Sequence, residues 1–375
     1  MAMYLIDNNF YFETENVTEE KYLQRVKISL NWWNRKEKLS KNMMLELYGG
    51  RIINTFDIIY RLRAANAFVL ALSVVVFYFI MLTTFGSVFW ICVSLVATFF
   101  YGHNMIFLEK GIFATDEAMF VLFFNVGIFF MIKIFSGSKR RVVYLWGYAA
   151  SAAFCTQAKL NGMMLSFFFS TLYLAKLSAS YFARFKINIK KSIILLVLVN
   201  ILSFCIFTLC DPYLYQNTLS NIGNYYSHRW ARTLIQTKNE DYIKVMLPNY
   251  MQRIAAVYNN FIGNNVNMDL SFVSYDFPFG KFQPPRNLLI VLLATGIFST
   301  IIKTIREKNV FSANFLILLF FIMTQFIMGF YLMFNFSRYF IQLIAFFLFF
   351  EINGAIYISK LIIQSTKKLV VNCAC

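Results

Sequence analysis

The sequence predicts an all-α integral membrane protein, a multi-spanning helix bundle with about nine spans. Three observations predict it: an apolar composition, long apolar segments, and clusters of basic residues between those segments. Hydrophobic residue types make up 59% of the 375 residues and charged types only 14%, and the mean hydropathy is +0.58. Because a soluble domain carries about 25% charged residues, the composition argues strongly against a soluble globular enzyme.

Several apolar segments approach the length of about 20 residues that a bilayer-spanning helix needs. They start near Ala64, Gly86, Asp116, Val142, Leu160, Ser192, Asn287, Val310 and Tyr339. The segments from Val142 and Leu160 are short, and we expect a shallow pair around the polar break Thr156-Gln157-Ala158-Lys159. The predicted organisation is an N-terminal outer-side or interfacial segment (1–63), an N-terminal transmembrane bundle (64–210), a long outer loop region (211–286), and C-terminal transmembrane helices with a cytoplasmic tail (287–375).

The net charge of +17, from 35 Lys and Arg against 18 Asp and Glu, indicates membrane orientation rather than nucleic-acid binding. Four basic clusters fall on one side of the predicted spans. They are Lys139–Arg141, Arg184 to Lys191, Lys303 to Lys308, and Lys360 to Lys368. The positive-inside rule makes that side cytoplasmic. The opposite side then receives residues 1–63, the turn from His103 to Asp116, the Lys159 break, residues 211–286 and the link from Phe334 to Arg338.

Ionisable residues at the outer ends of the spans are the candidate site residues, because charge at a membrane boundary is costly and usually functional. They are Glu109, Lys110, Asp116, Glu117, Lys159, Asp211 and Arg338. Each alone is explained by capping or snorkelling, and Thr115 with Asp116 has the pattern of a helix start. Together, acids and bases on one side suit an anionic headgroup and a carboxylate that abstracts a proton.

Three other features of the sequence can be interpreted. The aromatic runs 167–169 and 346–350 are most simply lipid-facing. With only two histidines, His103 and His228, and no Cys/His ligand spacing, the sequence predicts no zinc site. The outer cluster from Tyr225 to Trp230 suits either sugar contacts or a helix anchored at the membrane interface.

Five short segments, in this order and on one predicted side, carry a family resemblance. They are Arg61-Leu62-Arg63-Ala64-Ala65-Asn66, the outer turn from His103 to Thr115-Asp116, Ala158-Lys159-Leu160-Asn161-Gly162, Asp211-Pro212-Tyr213-Leu214-Tyr215, and Ser337-Arg338-Tyr339-Phe340. Over residues 61–350 the chain resembles the C-superfold glycosyltransferases. The resemblance is to the dolichyl-phosphate-mannose–protein mannosyltransferase family in particular, with its bacterial and archaeal relatives, which include aminoarabinose transferases.

The resemblance implies a hexosyltransferase that passes a sugar from a polyprenyl-phosphate donor to an acceptor protein hydroxyl, lipid or glycan on the extracytoplasmic side. It implies a carboxylate base, for which the candidates are Asp116, Glu19 and Glu20. Lys159, Arg338 and Lys110 would hold the donor phosphate. Contacts with acceptor or donor are expected from His103, Glu117, Asp211, Tyr213, His228, Arg229 and Tyr339. No metal ligand is expected; no cofactor is certain, and a divalent cation is allowed.

The chain departs from the family in its first outer loop. The family has a helix before that loop, and no matching helix is found in the sequence. The acid pair of the loop has its nearest counterpart in Thr18-Glu19-Glu20-Lys21-Tyr22, with Asp7, Glu13 and Glu15 as competitors. The expectation is an N-terminally incomplete member, a shortened active member, or a non-catalytic descendant.

Two alternatives come from other functional classes. One is a transporter or flippase for an anionic lipid-linked substrate, which buried acids at mid-membrane depth would favour. The other is a non-catalytic membrane partner. In each case the expected location is a membrane crossed several times, the plasma membrane in a prokaryote or the endoplasmic reticulum in a eukaryote.

Overall fold

The computed structural model describes residues 55–85, 89–104, 107–108, 117–136, 140–159, 162–182, 189–210, 218, 220–224, 227, 246–262, 275–307, 311–331 and 340–373. The chain divides into two compact units. One comprises Met1–Ala67 and Phe113–Thr115, and its described part is residues 55–67. The other comprises Phe68–Ile112 and Asp116–Cys375. The helix contacts and the candidate site belong to this second unit.

The described chain is almost entirely helical. Its helices are α1 (Thr55–Phe85), α2 (Phe89–Gly102), α3 (Glu117–Phe135), α4 (Arg141–Ala158), α5 (Met163–Phe182), α6 (Ile189–Cys210), α7 (Tyr250–Ile262), α8 (Arg286–Glu307), α9 (Ala313–Tyr331) and α10 (Ile344–Cys373). A short 3₁₀ turn, Ile341–Leu343, leads into α10. Strands β1 (Tyr275–Phe277) and β2 (Gly280–Phe282) form an antiparallel hairpin.

Six of the described helices are long and apolar enough to cross a membrane. The spans are Arg63–Phe85, Glu117–Phe135, Ser192–Cys210, Arg286–Arg306, Ala313–Phe330 and Ile341–Thr366. Two shorter apolar helices, Ile91–Gly102 and Met163–Ser178, fall below that length. The prediction of an all-α, multi-pass membrane protein is confirmed at this level.

The predicted span starts lie close to helix starts with one clear exception. Helix α1 begins at Thr55, before the predicted start at Ala64, although its apolar span begins at Arg63. The predicted short pair corresponds to α4 and α5. The predicted outer loop region, 211–286, contains α7 and the hairpin. Lipid satisfies no backbone hydrogen bonds, so long apolar segments fold as helices whatever their neighbours are.

Helices α8 and α10 pack backbone to backbone at two glycines. A Cβ on Gly296 would collide with the Phe350 carbonyl oxygen, and a Cβ on Gly354 would collide with the Leu292 carbonyl oxygen. Small residues that permit such close approach are typical of helix contacts in membranes, where packing rather than water exclusion holds helices together.

The aromatic core is formed by residues that the sequence pattern assigns to lipid. Phe168, Phe169 and all of residues 346–350 are buried, so their assignment as lipid-facing was wrong; Phe167 is 53% exposed. Phe168 stacks on Phe320 with ring centroids 5.9 Å apart. Hydropathy cannot distinguish a side chain that faces lipid from one that is buried between helices, because lipid and the interior of the bundle are equally apolar.

Lys303, a member of one predicted cytoplasmic cluster, contacts the neighbouring helix α10. Its Nζ donates to the Asn353 Oδ1 of α10 at 2.9 Å and lies 5.6 Å from the Phe85 ring centroid. The Asn353 Nδ2 in turn lies 3.5 Å from the Thr300 Oγ1. A long lysine stem permits this inward turn near a helix end, so this member of the basic cluster contributes to helix packing.

The amphipathic helix α7 packs on the C-terminal end of α9. The Arg253 guanidinium donates to the carbonyl groups of Phe330 at 2.6 Å and Gly329 at 3.2 Å. Asn249 accepts from the Gln252 N–H at 2.8 Å and caps the start of α7. A cation at the C-terminal end of a helix satisfies its last carbonyls and complements its dipole. These contacts fix α7 to the bundle.

Candidate functional site

Lys159 forms the break between α4 and α5. Helix α4 ends at Ala158, and Lys159 has an extended backbone with φ −148° and ψ 139°. Its N–H donates to the Cys155 carbonyl at 3.0 Å, and its carbonyl accepts from the Gly162 N–H at 2.7 Å. These bonds satisfy backbone groups that a helix end leaves open. The predicted break is confirmed, and its backbone bonds fix where the Lys159 side chain starts.

Gly162 is required at the break by its close approach to α4. A Cβ at this position would collide with the Cys155 carbonyl group. Only glycine fits such a contact without a shift of the chain. The spacing of Lys159 and Gly162 therefore has a structural reason, because it allows the chain to turn back and pack against the last turn of α4.

The Lys159 side chain forms a buried ion pair with Glu117. Its Nζ lies 2.8 Å from the Glu117 Oε1, and the two side chains are only 13% and 5% exposed. The Nζ also lies 5.6 Å from the centroid of the Phe120 ring. Glu117 is the first residue of α3, where the helix dipole favours a carboxylate. The polar break after α4 and the first residue of α3 thus meet at one point.

The electrostatics of this pair are unusual for a purely structural contact. Removing both charges from water costs several kcal/mol per ion, which mutual attraction offsets only in good geometry. An apolar pair would pack at the same point without that cost. Charged groups retained at membrane depth are typically functional, so the ion pair of Lys159 and Glu117 is the candidate functional site.

The other predicted site residues, apart from His103, lie outside the described residues. They are Glu19, Glu20, Glu109, Lys110, Asp116, Asp211, Tyr213, His228, Arg229, Arg338 and Tyr339. Asp116 immediately precedes Glu117 in the chain. Their roles stay predictions. Glu117, predicted to contact the acceptor or donor, forms a hydrogen bond with the predicted phosphate ligand Lys159.

His103 belongs to a second cluster, at the end of α2 beside the hairpin. Its Nδ1 lies 2.8 Å from the Phe99 carbonyl oxygen, and its ring centroid is 5.3 Å from that of Phe277. Its carbonyl accepts from the Asp276 N–H at 2.9 Å. Its neighbour Asn104 forms a bridge with Tyr275 of β1. The contacts of His103 are therefore with the hairpin rather than with the ion pair.

Sequence reasoning did not single out the polar groups buried inside the bundle. The Asn125 Nδ2 of α3 donates to the Ser73 Oγ and the Tyr101 Oη, each at 3.0 Å. Glu351 of α10 is 6% exposed. The available signal is a single polar residue within a long apolar helix, which is rare and usually functional.

Among the residues that the structure describes, no group of three or more His, Cys, Asp or Glu side chains is placed to hold a metal ion. The comparisons with known proteins are negative: no protein-family model, curated protein or solved structure matches the chain.

Proposed function

We propose that the chain is a membrane glycosyltransferase that passes a sugar from a polyprenyl-phosphate donor to a protein hydroxyl, lipid or glycan on the extracytoplasmic side. The buried ion pair of Lys159 and Glu117 is the observation that carries the proposal. It joins Lys159, in the resemblance segment from Ala158 to Gly162, to Glu117, which follows the segment that ends in Asp116 in the sequence; the two paired residues are 42 positions apart.

The pair supplies chemistry that this reaction needs. The donor phosphate is anionic, and a lysine held in a low-dielectric position by a carboxylate can transfer its hydrogen bonds to that phosphate. When no donor is bound, the Glu117 carboxylate balances the positive charge of Lys159. In the reaction, the acceptor oxygen forms a bond to the anomeric carbon, and the bond from that carbon to the phosphate oxygen breaks. The hydroxyl proton passes to a carboxylate, for which Asp116 is the proposed base, and the phosphomonoester leaves toward Lys159.

The proposed location follows from the donor. A polyprenyl chain keeps the donor in a bilayer, so the acceptor must reach the membrane boundary. We place the protein in the plasma membrane if the source is prokaryotic and in the endoplasmic reticulum if it is eukaryotic. Arg338 and Lys110 are proposed as further phosphate ligands, and Glu19 or Glu20 as a second acid.

Transfer activity tests the proposal. Membranes that contain the chain are given radiolabelled polyprenyl-phosphate mannose, glucose or aminoarabinose with peptide and lipid acceptors. We expect transfer by the wild type and at least a hundredfold loss in Asp116→Asn, since a general base contributes about 10²–10⁴-fold. We expect a similar loss in Lys159→Met, since removing one donor that stabilises developing charge costs about 10²–10³-fold. Lys133→Met is the matched control. Its Nζ also lies over a phenylalanine ring, at 5.5 Å from Phe129, near the other end of α3.

An equal loss of transfer activity in Lys133→Met would show that the loss in Lys159→Met reflects folding rather than phosphate binding. Full activity in Asp116→Asn would exclude that residue as the base. Donor binding without transfer, for every sugar and acceptor, would favour the non-catalytic partner instead.

A second candidate function, a transporter or flippase for an anionic lipid-linked substrate, is supported by Glu351. This carboxyl is buried within the α10 span, and its Oε1 has no hydrogen-bond partner among the described residues. The Glu351 charge also affects Tyr275 of β1. Burial raises the pKa of the Tyr275 hydroxyl well above its ordinary value, and the Glu351 charge raises that pKa further. Acids inside membrane spans mark substrate and ion pathways and proton relays.

The transporter proposal is tested by flux. In vesicles that contain the purified chain, a fluorescent polyprenyl phosphate in the inner leaflet is protected from an external quencher until it crosses. We expect Glu351→Gln to abolish crossing if Glu351 is on the pathway. Gln342→Leu, which removes another buried polar group near the start of the same helix, is the control. Crossing that continues in Glu351→Gln removes Glu351 from the pathway, and crossing that is absent in the wild type rejects the transporter.

A further inference from the structure

We propose that Arg141, Tyr173 and Lys176 form a binding site for a phosphate group at the end of α4 and α5 opposite Lys159. Arg141 is the first residue of α4, whose other end precedes Lys159. Tyr173 and Lys176 are three residues apart on α5, hence on one face of that helix. The orientation predicted from charge puts this end at the cytoplasmic boundary.

The side chains of Arg141 and Lys176 contact two neighbouring aromatic rings, those of Tyr173 and Phe135. The Arg141 Nη2 lies 3.4 Å from the Tyr173 hydroxyl, with the guanidinium carbon 5.8 Å from the Tyr173 ring centroid. The Lys176 Nζ lies 5.4 Å from the Phe135 ring and 5.3 Å from the Phe311 ring. The rings of Phe135 and Tyr173 are themselves 6.4 Å apart. Both charged groups therefore sit on the same aromatic cluster, between helices.

The positive charge at this cluster has no carboxylate partner among the described residues. Lys176 makes one hydrogen bond there, at 3.5 Å to the Phe135 carbonyl oxygen, and Arg141 makes one, to Tyr173. The Arg141 Nε is buried without a hydrogen-bond partner. A guanidinium has five N–H donors and an ammonium has three, so most of this donor capacity is unused. Two like charges with open donors are stabilised by an anion.

The cluster differs from an ordinary topological anchor. An anchoring lysine or arginine extends its head group into water, as the adjacent Arg140, which is exposed, is placed to do. Arg141 and Lys176 instead turn onto aromatic rings and are partly buried. Arg140 also precedes α4 without capping it through its side chain. The first N–H groups of α4 thus add positive potential at the same end.

A phosphate mono- or diester is the anion that this arrangement suits. Arginine binds phosphate through two parallel hydrogen bonds, and lysine adds a point charge. Basic pockets between membrane helices on the cytoplasmic side bind anionic lipid head groups. The phosphate has two sources, a lipid of that leaflet or a soluble phosphate compound. The site is independent of the proposed transferase site, which lies at the other end of α4.

Lipid retention tests the proposal. The purified full chain in a neutral detergent is titrated with phosphatidic acid, phosphatidylglycerol and, as a neutral lipid, diacylglycerol, and bound lipid is counted by native mass spectrometry. We expect binding of one anionic lipid that weakens about tenfold or more in Lys176→Met, the loss expected for one charge-assisted hydrogen bond. Arg140→Met removes the same charge beside the site and should leave that binding unchanged.

Arg141→Lys keeps the positive charge but loses the planar guanidinium group. As a conservative change, it tests the site even if a more disruptive variant fails to fold. We expect it to weaken binding less than Lys176→Met while the melting temperature stays near that of the wild type. Competition by millimolar inorganic phosphate assigns the site to soluble phosphates, and its failure assigns the site to lipid. Equal lipid binding by Lys176→Met and Arg140→Met, or equal binding of diacylglycerol, would overturn the site.

Discussion

Gly354→Leu is expected to force α8 away from α10 and to destabilise the second half of the bundle severely. No space exists for a side chain here, because even a Cβ would collide with the Leu292 carbonyl oxygen. Overpacking a core costs about 1–3 kcal/mol and occasionally more, and here the obstacle is backbone, which cannot rotate away. We expect the melting temperature in detergent to fall by several degrees or the folded protein to be lost.

Gly223→Leu is the matched control for this variant. A Cβ on Gly223 meets no atom of the described residues within 4 Å, so the same substitution there should leave the melting temperature close to that of the wild type. The weaker change Gly354→Ala should give an intermediate result. If Gly354→Leu melts like Gly223→Leu, the close packing of α8 on α10 described above is incorrect.

The second large effect is expected at the ion pair, measured as a double-mutant cycle on stability. Lys159→Met leaves the Glu117 carboxylate buried without its cation, and Glu117→Leu leaves the Lys159 ammonium buried without its anion. Breaking a buried pair from one side costs about 3–5 kcal/mol. Replacing both partners by apolar groups is often neutral or stabilising. We therefore expect both single variants to be unstable and the double variant to recover most of the lost stability.

The cycle also separates folding from function. The proposed phosphate role requires that the recovered double variant stay inactive in sugar transfer, because stability returns while the cation does not. Glu117→Gln, which keeps the shape and removes the charge, serves as the conservative control. Additive destabilisation by the two single changes would show that the pair is not coupled. Recovered activity in the double variant would remove Lys159 from the phosphate site.

The predicted positions of the helices follow from hydropathy because a bilayer leaves an apolar segment few choices. The break at Lys159 was predictable for a similar reason, since a charged residue followed by Gly162 interrupts two apolar runs. The partner of Lys159 was not predictable from hydropathy. Glu117 and Asp116 are equally good acids in the sequence, and the contact of Glu117 with the lysine depends on the packing of α3 against α4.

The orientation of side chains around each helix was the weaker part of the sequence prediction. Phe168 and the residues 346–350 face the bundle rather than lipid, and Lys303 turns inward to Asn353. In a soluble protein, the periodicity of polar residues would identify the buried face. In a membrane both faces are apolar, so the pattern carries little of that information.

The shortness of α2 has a consequence for the shape of the surrounding bilayer. Its 14 residues rise about 21 Å, whereas the hydrocarbon layer is about 30 Å thick. If Phe89 lies at one boundary, Gly102 ends about 9 Å inside the other. The hairpin joined there keeps its backbone hydrogen-bonded, through the Asn104–Tyr275 bridge and the Asp276–His103 bond, as non-helical chain at that depth requires. If α2 crosses the membrane in this way, the bilayer beside His103 is thinned or indented.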